Sequence, residues 1–153
     1  MLSMNVDLLP IINNEGQKID FKGNVAFEEN GCDLDCDVTG QVVNFAGRLD
    51  ITGHISVKGK TVCGRCGEPV DFSMELDMNE TAGENDVTLS GTVLDIASVV
   101  TDNVVVELPI RFLCSDNCKG LCSTCGANLN KGKCSCVDDS IDERLAVLKS
   151  LLE

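Results

Sequence analysis

The chain has 153 residues with 43% hydrophobic content, which is enough for one ordinary domain with a real core and a small appended module. Its 25 acidic residues outnumber 12 basic ones, which gives a formal charge of −13 at pH 7. A chain with this charge repels a phosphate backbone overall and favours basic protein partners. No segment looks like a secretory signal or approaches the length of a membrane span, so we expect a cytoplasmic protein without membrane association.

The first half of the chain predicts an antiparallel β meander. Residues 1–22 contain a short apolar run broken by Pro10, and the pattern leaves their structure open. Apolar and polar residues then alternate, and Asn30-Gly31 is a strong signal for a hairpin turn. The following strand separates two sets of side chains onto opposite faces. The apolar set is Cys32, Leu34, Cys36 and Val38, and the polar set is Asp33, Asp35 and Asp37.

The position of Cys32 and Cys36 on the apolar face predicts two buried core thiols. A metal or redox role is the alternative for this pair. The facing aspartates predict a solvated surface rather than a calcium site, because the glycine and glutamate of an EF-hand loop do not follow at the required positions.

Two further long strands are predicted on either side of a Cys-x-x-Cys segment at residues 63–66. Residues 48–58 and 70–79 alternate between apolar and polar side chains, so the Cys-x-x-Cys segment caps a hairpin. Gly53, inside the first of these strands, predicts a bulge or a close backbone approach. His54, the only histidine, falls on the polar face away from any cysteine and is predicted to be a surface residue rather than a ligand or base.

The segments around the cysteine-rich end predict one more strand and two helices. Residues 87–93 have strand alternation, and Asp95 is placed to cap a helix that ends at residues 107–109. The apolar stripe of that helix is Ile96, Val99, Val100 and Val104. Ser140 and Glu143 form a capping box for a last helix, which needs a surface on this chain's sheet or on a partner. Its stripe is Ile141, Leu145, Leu148 and Leu152.

Six of the ten cysteines lie within residues 114–136, a stretch with too few apolar side chains to hold its shape by burial. A Cys-x-x-Cys pair followed by glycine forms a knuckle, and a Cys-x-Cys pair returns eight residues later. Four thiolates at this spacing predict a tetrahedral structural zinc site, here named site 1. Its ligands are Cys122, Cys125, Cys134 and Cys136.

A second zinc, at site 2, follows from the cysteines that remain. The knuckle at residues 63–66 lacks partners, and two cysteines are left over beside site 1, so we assign Cys63, Cys66, Cys114 and Cys118 to one shared site. This assignment requires a long-range closure that spacing alone does not define. The sequence therefore predicts one or two zinc ions. The alternatives for these thiols are redox-active dithiols, an iron–sulfur cluster, disulfides and, for site 2, reduced structural cysteines.

The knuckle region carries basic side chains in an otherwise acidic chain, and four of them are candidate contacts to RNA or protein. These are Arg65, Lys119, Lys131 and Lys133. A solvated loop is the alternative.

Together the patterns predict an α+β fold, with an antiparallel β meander or barrel-like sheet, one or two helices and a small C-terminal zinc-knuckle module. The predicted domains are a β-rich domain at residues 1–110 and a cysteine-rich module at residues 111–153, packed on the first. The oligomeric state stays open.

Several segments resemble the YceD family, the large ribosomal RNA subunit accumulation proteins of bacteria and plastids. They are CGRCGEP at 63–69, DI at 95–96, ELPI at 107–110, CKGLCSTCGANL at 118–129 and DERLAVL at 142–148. The fourth is the most specific, and the resemblance covers nearly the full length. Ser123 stands where the family usually has proline, which loosens the knuckle slightly but removes no ligand.

The resemblance implies a non-catalytic role in 23S rRNA accumulation and large-subunit biogenesis, with a pre-50S particle, 23S rRNA or a basic ribosomal protein as partner. Family genes often adjoin the gene for large-subunit ribosomal protein thirty-two, which would suit an acidic chain. The alternatives are a zinc-thiolate redox sensor and an RNA-processing enzyme. Against an enzyme, the sequence has no His-Glu-x-x-His or P-loop pattern, and all-sulfur coordination leaves zinc no open position for water.

Overall fold

The structure is a computed structural model that describes residues 4–82 and 89–136, with the backbone alone at residues 89 and 90. Seven strands and two helices occur in this part of the chain. In chain order they are β1 (Asn5–Asp7), α1 (Leu9–Ile12), β2 (Lys18–Glu29), β3 (Cys32–Phe45), β4 (Arg48–Val62), β5 (Pro69–Ala82), β6 (Leu89–Ser90), β7 (Val93–Asp95) and α2 (Ile96–Glu107). Among these residues, no helix is long and apolar enough to cross a membrane.

The largest element is a four-stranded antiparallel sheet with its strands in chain order, β2-β3-β4-β5, which confirms the predicted meander. Two-residue turns join the first three strands, and both turns use positive φ angles that match the twist of the flanking strands. Asn30 and Gly31 have φ of 52° and 74°, as their sequence predicts. Ala46 and Gly47, which the sequence pattern did not single out, have φ of 52° and 78°.

The inner face of this sheet carries the predicted core, including both cysteines of β3. Cys32 is 3% exposed and Cys36 is fully buried, so the predicted core placement of these thiols is confirmed. Burial, together with the charges of Asp35 and Asp37, raises the pKa of Cys36 to about 11, so its thiol stays protonated. The aspartates point outward, where Asn24 donates hydrogen bonds of 2.6 and 3.0 Å to Asp35 and Asp37.

The pairing of β3 with β4 is continuous, and Gly53 lies directly opposite Gly40. The bulge offered as one explanation of Gly53 is therefore absent from this strand pair. The close backbone approach is confirmed, because a Cβ atom on Gly53 would lie 2.8 Å from the carbonyl oxygen of Thr39. Two glycines are thus needed at one cross-strand position.

A second layer covers part of the inner face of the sheet. It consists of α2 and a small antiparallel sheet in the order β1-β7-β6. Asp95 caps α2 by accepting hydrogen bonds from the backbone N–H groups of Ala97 and Ser98 at 3.0 and 3.4 Å, as predicted. The predicted stripe of α2, Ile96, Val99, Val100 and Val104, is buried. Leu8 and Ile11 of the first, sequence-ambiguous segment complete this core.

The prediction of one strand over residues 87–93 was wrong. The chain reverses at Gly91, whose φ is 66°, so β6 and β7 form a short hairpin and β7 pairs with β1. Such a φ is accessible to glycine at little cost, and it interrupts the alternation that indicated a single strand. The helix predicted to start at Ser140 lies outside the described residues.

Candidate metal centres

Site 2 is built on the turn between β4 and β5. The knuckle begins at Cys63, directly after the last residue of β4. The backbone N–H of Cys63 donates to the carbonyl of Glu68 at 2.8 Å, and that of Gly67 donates to the carbonyl of Cys63 at 2.9 Å. Gly67 has φ of 72°, a conformation that glycine adopts at little cost. It turns the following chain into β5. The knuckle geometry thus follows from the Cys-x-x-Cys-Gly sequence.

Site 1 begins with a second copy of the same turn. The backbone N–H of Cys122 donates to the carbonyl of Ala127 at 2.8 Å, and that of Gly126 donates to the carbonyl of Cys122 at 2.9 Å. Gly126 also has φ of 72°. The turn forms with Ser123 and Thr124 between its two cysteines.

The structure brings the eight candidate thiols into the two predicted groups of four. Within each group the sulfur atoms lie within 4.8 Å of one another. In site 2 the sulfur atoms of Cys63 and Cys118 are 3.8 Å apart, and those of Cys66 and Cys114 are 3.6 Å apart. These distances exclude disulfide bonds of about 2.05 Å. A tetrahedral ion with bonds of about 2.3 Å separates its ligand atoms by about 3.8 Å. Each tetrad could therefore hold a metal ion.

Backbone and amide N–H groups point at selected sulfur atoms and favour their thiolate form. Burial alone would raise the pKa of Cys63, but hydrogen bonds from backbone N–H groups, including that of Arg65, lower it to about 6. At Cys118, the side-chain amide of Asn130 donates to the sulfur at 3.3 Å and lowers the pKa. The protein thus supplies part of the stabilisation that a metal-ligating thiolate needs.

In each tetrad at least one thiol resists ionisation in the absence of a cation, Cys66 in site 2 and Cys136 in site 1. The backbone N–H of Glu68 favours the Cys66 thiolate, but burial and the neighbouring sulfurs outweigh it and raise the pKa to about 12. In site 1, backbone N–H groups lower the pKa of Cys122 to about 6, whereas the sulfur of Cys125 and burial raise that of Cys136 to about 12. Four thiolates in either tetrad therefore require a bound cation to offset their mutual repulsion.

The cysteine-rich segment is attached to the β4–β5 turn by several direct contacts. The backbone N–H of Gly64 donates to the carbonyl of Phe112 at 2.9 Å. The ring of Phe112 stacks on Phe72 of β5 with centroids 4.2 Å apart. The guanidinium of Arg65 donates to the carbonyl of Cys118 at 2.9 Å. Site 2 therefore lies at the junction between the sheet and the segment that carries site 1.

Glu68 makes the second set of attachments, and sequence reasoning did not identify it. Its carboxylate accepts a hydrogen bond from the side-chain amide of Asn128 at 3.2 Å and pairs with the ammonium of Lys131 at 2.6 Å. Glu68 lies 60 positions before Asn128 and further still from Lys131, so no local pattern could have indicated this contact.

The four basic residues predicted to contact a partner fall into two groups. Arg65 and Lys131 have the intramolecular partners described above, which gives them a role in attaching the cysteine-rich segment. Lys119 and Lys133 are exposed and have no ion-pair partner in the part of the chain that the structure describes. These two ammonium groups stay candidate contacts.

The two tetrads differ in exposure. Cys63, Cys66 and Cys118 of site 2 are buried, with at most 6% of each residue exposed. In site 1, by contrast, Cys125 is exposed and the other three cysteines are half-buried. Cys114 is the exposed member of site 2, so site 2 is largely covered by the junction, whereas site 1 faces solvent more fully.

His54 lies on the polar face of the sheet, as predicted, between two carboxylates of β5. Its Nδ1 atom is 2.9 Å from Asp77 and its Nε2 atom is 2.8 Å from Glu75, and its side chain is about half exposed. Both hydrogen bonds favour the protonated ring, first that to Asp77 and then that to Glu75, and they raise the pKa of His54 above its ordinary value of 6.5.

We expect the single histidine to titrate above pH 6.5 in the folded chain. Because the folded-state pKa exceeds the unfolded value, this contact stabilises the fold below pH 6.5 and loses its contribution as pH rises through the folded-state pKa. A titration of the histidine ring signals by NMR measures the midpoint. Glu75→Gln/Asp77→Asn should return it to the ordinary range, while Glu28→Gln/Asp33→Asn, with the same charge change elsewhere, should not. A wild-type midpoint at or below 6.5 would contradict the geometry.

The fold and the two sites define a protein with a four-stranded antiparallel sheet that carries two all-cysteine tetrads at one end. The chain belongs to the YceD family, since the family model described as "Large ribosomal RNA subunit accumulation protein YceD" matches residues 51–152. The match starts within β4 and includes all eight tetrad cysteines. It leaves residues 1–50 outside, so it is shorter than the nearly full-length resemblance expected from the sequence.

Similar proteins occur in plants and in mycobacteria. The chain is 42% identical over 60 residues to the large ribosomal RNA subunit accumulation protein YCED homolog 1, chloroplastic, of Arabidopsis thaliana, covering 39% of this chain and 19% of that protein. The protein of the same name from Zea mays is 38% identical over 61 residues, covering 39% and 20%. An uncharacterized protein of Mycobacterium tuberculosis is 26% identical over 113 residues, covering 66% and 54%. The chain spans about a fifth of the length of the plant relatives. No solved structure matches it.

Proposed function

We propose that this chain is a cytoplasmic, non-catalytic factor that promotes 23S rRNA accumulation during biogenesis of the large ribosomal subunit. The observation that carries the proposal is its membership of the YceD family, together with plant relatives whose names state large ribosomal RNA subunit accumulation. A non-catalytic role is supported by the chemistry of the tetrads, because four sulfur ligands would saturate a tetrahedral metal ion and leave no position for a substrate or water.

Zinc is the metal that we propose for both tetrads. The donor set is four thiols in each case, and the sulfur separations of 3.6 and 3.8 Å in site 2 suit a tetrahedral ion. Zinc bound there would supply charge compensation and a fixed crosslink, with no redox chemistry of its own. Cys63 and Cys66 would hold it from the sheet, and Cys114 and Cys118 from the cysteine-rich segment.

The crosslink would give the chain a composite surface for rRNA or a ribosomal protein on the pre-50S particle. The β4–β5 turn and the segment around site 1 would be held in one arrangement by site 2, by Arg65 and by Glu68. Lys119 and Lys133 would then be presented on this junction as exposed cations beside an acidic sheet. A partner could read this combined shape and charge, which neither part offers alone.

The proposal is tested in cells of the source organism that lack the chain, by measuring the ratio of 23S to 16S rRNA and the yield of large subunits on sucrose gradients. We expect both to fall and to be restored by the wild-type chain. Cys63→Ala/Cys66→Ala should not restore them, whereas Cys32→Ala/Cys36→Ala, which removes two core thiols but no proposed ligand, should. An unchanged rRNA ratio in cells lacking the chain would overturn the proposed function.

A further inference from the structure

We propose that the groove between β5 and α2 binds an extended basic polypeptide segment in which Lys or Arg alternates with apolar residues. This inference rests on the proposed function, because it specifies the kind of protein partner that an assembly factor of this family would engage. The surface lies on the sheet and helix, away from both cysteine tetrads.

The groove has a volume of about 400 Å³ and carries a concentration of negative charge. Its β5 wall presents Glu75, Asp77 and Glu80, and its α2 wall presents Asp102 and Glu107. Within residues 4–82 and 89–136, no Lys or Arg side chain lines it. Two of the five carboxylates, Glu75 and Asp77, already bind the ring of His54, so one positive charge offsets part of the five negative ones when the ring is protonated. The groove keeps a net negative charge, which favours cationic side chains and repels a phosphate backbone, so a basic polypeptide is favoured over RNA.

The backbone of β5 is available for strand addition along one side. β5 is the outer strand of the four-stranded sheet, and within the described residues it pairs only with β4. It runs for 14 residues, which is long enough for an added strand to make several backbone hydrogen bonds. The occupant of the groove is therefore expected to be extended rather than helical.

The side chains of β5 specify the pattern of an added strand. On the inner face, Met74 and Leu76 are only partly buried, so apolar residues of an added strand would cover them. On the outer face, Asp71, Glu75 and Asp77 would stand beside the alternate residues, where opposite charges stabilise a cross-strand pair. The result is an alternation of basic and apolar residues.

The helix wall supports a ligand rather than mere protection of the sheet edge. Charges on an outer strand can serve to prevent aggregation, and that role would explain the carboxylates of β5 alone. It would not explain Val106, which is 80% exposed and lines the same groove between Asp102 and Glu107. On the helix wall, as on the strand wall, an apolar side chain therefore lies next to carboxylates. Such a wall would contact apolar and basic residues of the same alternating peptide.

The test uses the full zinc-loaded chain and two labelled peptides of ten residues. One alternates Arg and Val, and the other has the same composition with all Arg residues before all Val residues. Fluorescence anisotropy should show the alternating peptide binding about tenfold more tightly, because only it can pair as a strand with the right side chains on each face. Hydrogen exchange should show slower exchange in residues 70–80 on binding and no change in β3.

Paired charge variants separate the groove from general electrostatic attraction. Asp102→Asn/Glu107→Gln neutralises the helix wall, and neither side chain has a hydrogen bond or ion pair within the described part of the chain. We expect about tenfold weaker peptide binding. Glu28→Gln/Asp33→Asn makes the same two changes at a cross-strand pair on the far side of the sheet and should change binding by less than about twofold.

Equal binding of the two peptides, equal loss in both variants, or unchanged exchange in residues 70–80 would overturn the groove proposal, as would preferential binding of a ten-nucleotide RNA. Its failure is distinguishable from failure of the proposed function. If the peptide does not bind but the rRNA ratio falls in cells lacking the chain, the groove proposal fails and the proposed function stands. If the peptide binds with the expected pattern but the rRNA ratio is unchanged, the proposed function fails and the groove retains its ligand class.

Discussion

Replacing both Cys63 and Cys66 with alanine is expected to reduce the zinc content of the purified chain from two ions to one. These residues provide two of the four sulfurs of site 2, and the remaining pair, Cys114 and Cys118, cannot complete a tetrahedral site. Site 1 should keep its ion, because its four cysteines all lie within residues 122–136. Native mass spectrometry of protein purified without chelators measures the stoichiometry directly.

Loss of the site 2 ion should also loosen the junction, because an ion held there would crosslink the sheet and the cysteine-rich segment. The stacking of Phe72 on Phe112 and the bond from Arg65 to Cys118 would then hold the junction alone. We expect faster hydrogen exchange in residues 111–118 of the variant. Exchange in the distant half of the sheet should stay close to that of the wild type.

The matched control is Cys32→Ala/Cys36→Ala, which removes the same number of thiols from the core of β3 and should retain two zinc ions. One zinc ion in the wild type that persists in the Cys63→Ala/Cys66→Ala variant would confine metal to site 1 and leave Cys63 and Cys66 as free thiols. A chain without zinc, or one whose visible absorption indicates iron, would contradict the proposed metal at both sites.

The features that sequence predicted well are those determined by neighbouring residues. The alternation in β3 placed Cys32 and Cys36 in the core, and Asp95 marked the start of α2 because capping depends on the next three residues. The two Cys-x-x-Cys-Gly segments formed the same turn for the same reason. The grouping of site 2 came from the pairing of leftover cysteines rather than from any local signal.

The features that sequence could not predict depend on how distant segments meet. Arg65 and Lys131 look like free cations in the sequence, and only the folded chain brings them to Cys118 and Glu68. The groove beside β5 could not be predicted from the sequence either. It exists because the strand order makes β5 an outer strand and the core packing places α2 next to it.

Replacing Gly40 with alanine is expected to lower the free energy of unfolding by about 3 kcal/mol, because a methyl group overpacks the closest approach of β3 and β4. An added Cβ atom would overlap the carbonyl oxygen of Thr52 and lie 2.6 Å from the buried ring of Phe21 and 2.9 Å from the Cα atom of Gly53. The carbonyl oxygen and the Cα atom belong to the backbone and cannot rotate away. This cost should exceed the usual advantage of about 0.5–1 kcal/mol that alanine has over glycine within a strand.

Urea unfolding followed by far-ultraviolet circular dichroism measures this change, since the chain has no Trp or Tyr to report by fluorescence. Gly132→Ala is the matched control, because a Cβ atom there meets nothing within 4 Å and its φ is not positive. We expect the control to stay within about 0.5 kcal/mol of the wild type. If Gly40→Ala unfolds at the same urea concentration as the control, β3 and β4 do not approach as closely as the facing glycines indicate, and the close pairing of Gly40 with Gly53 is wrong.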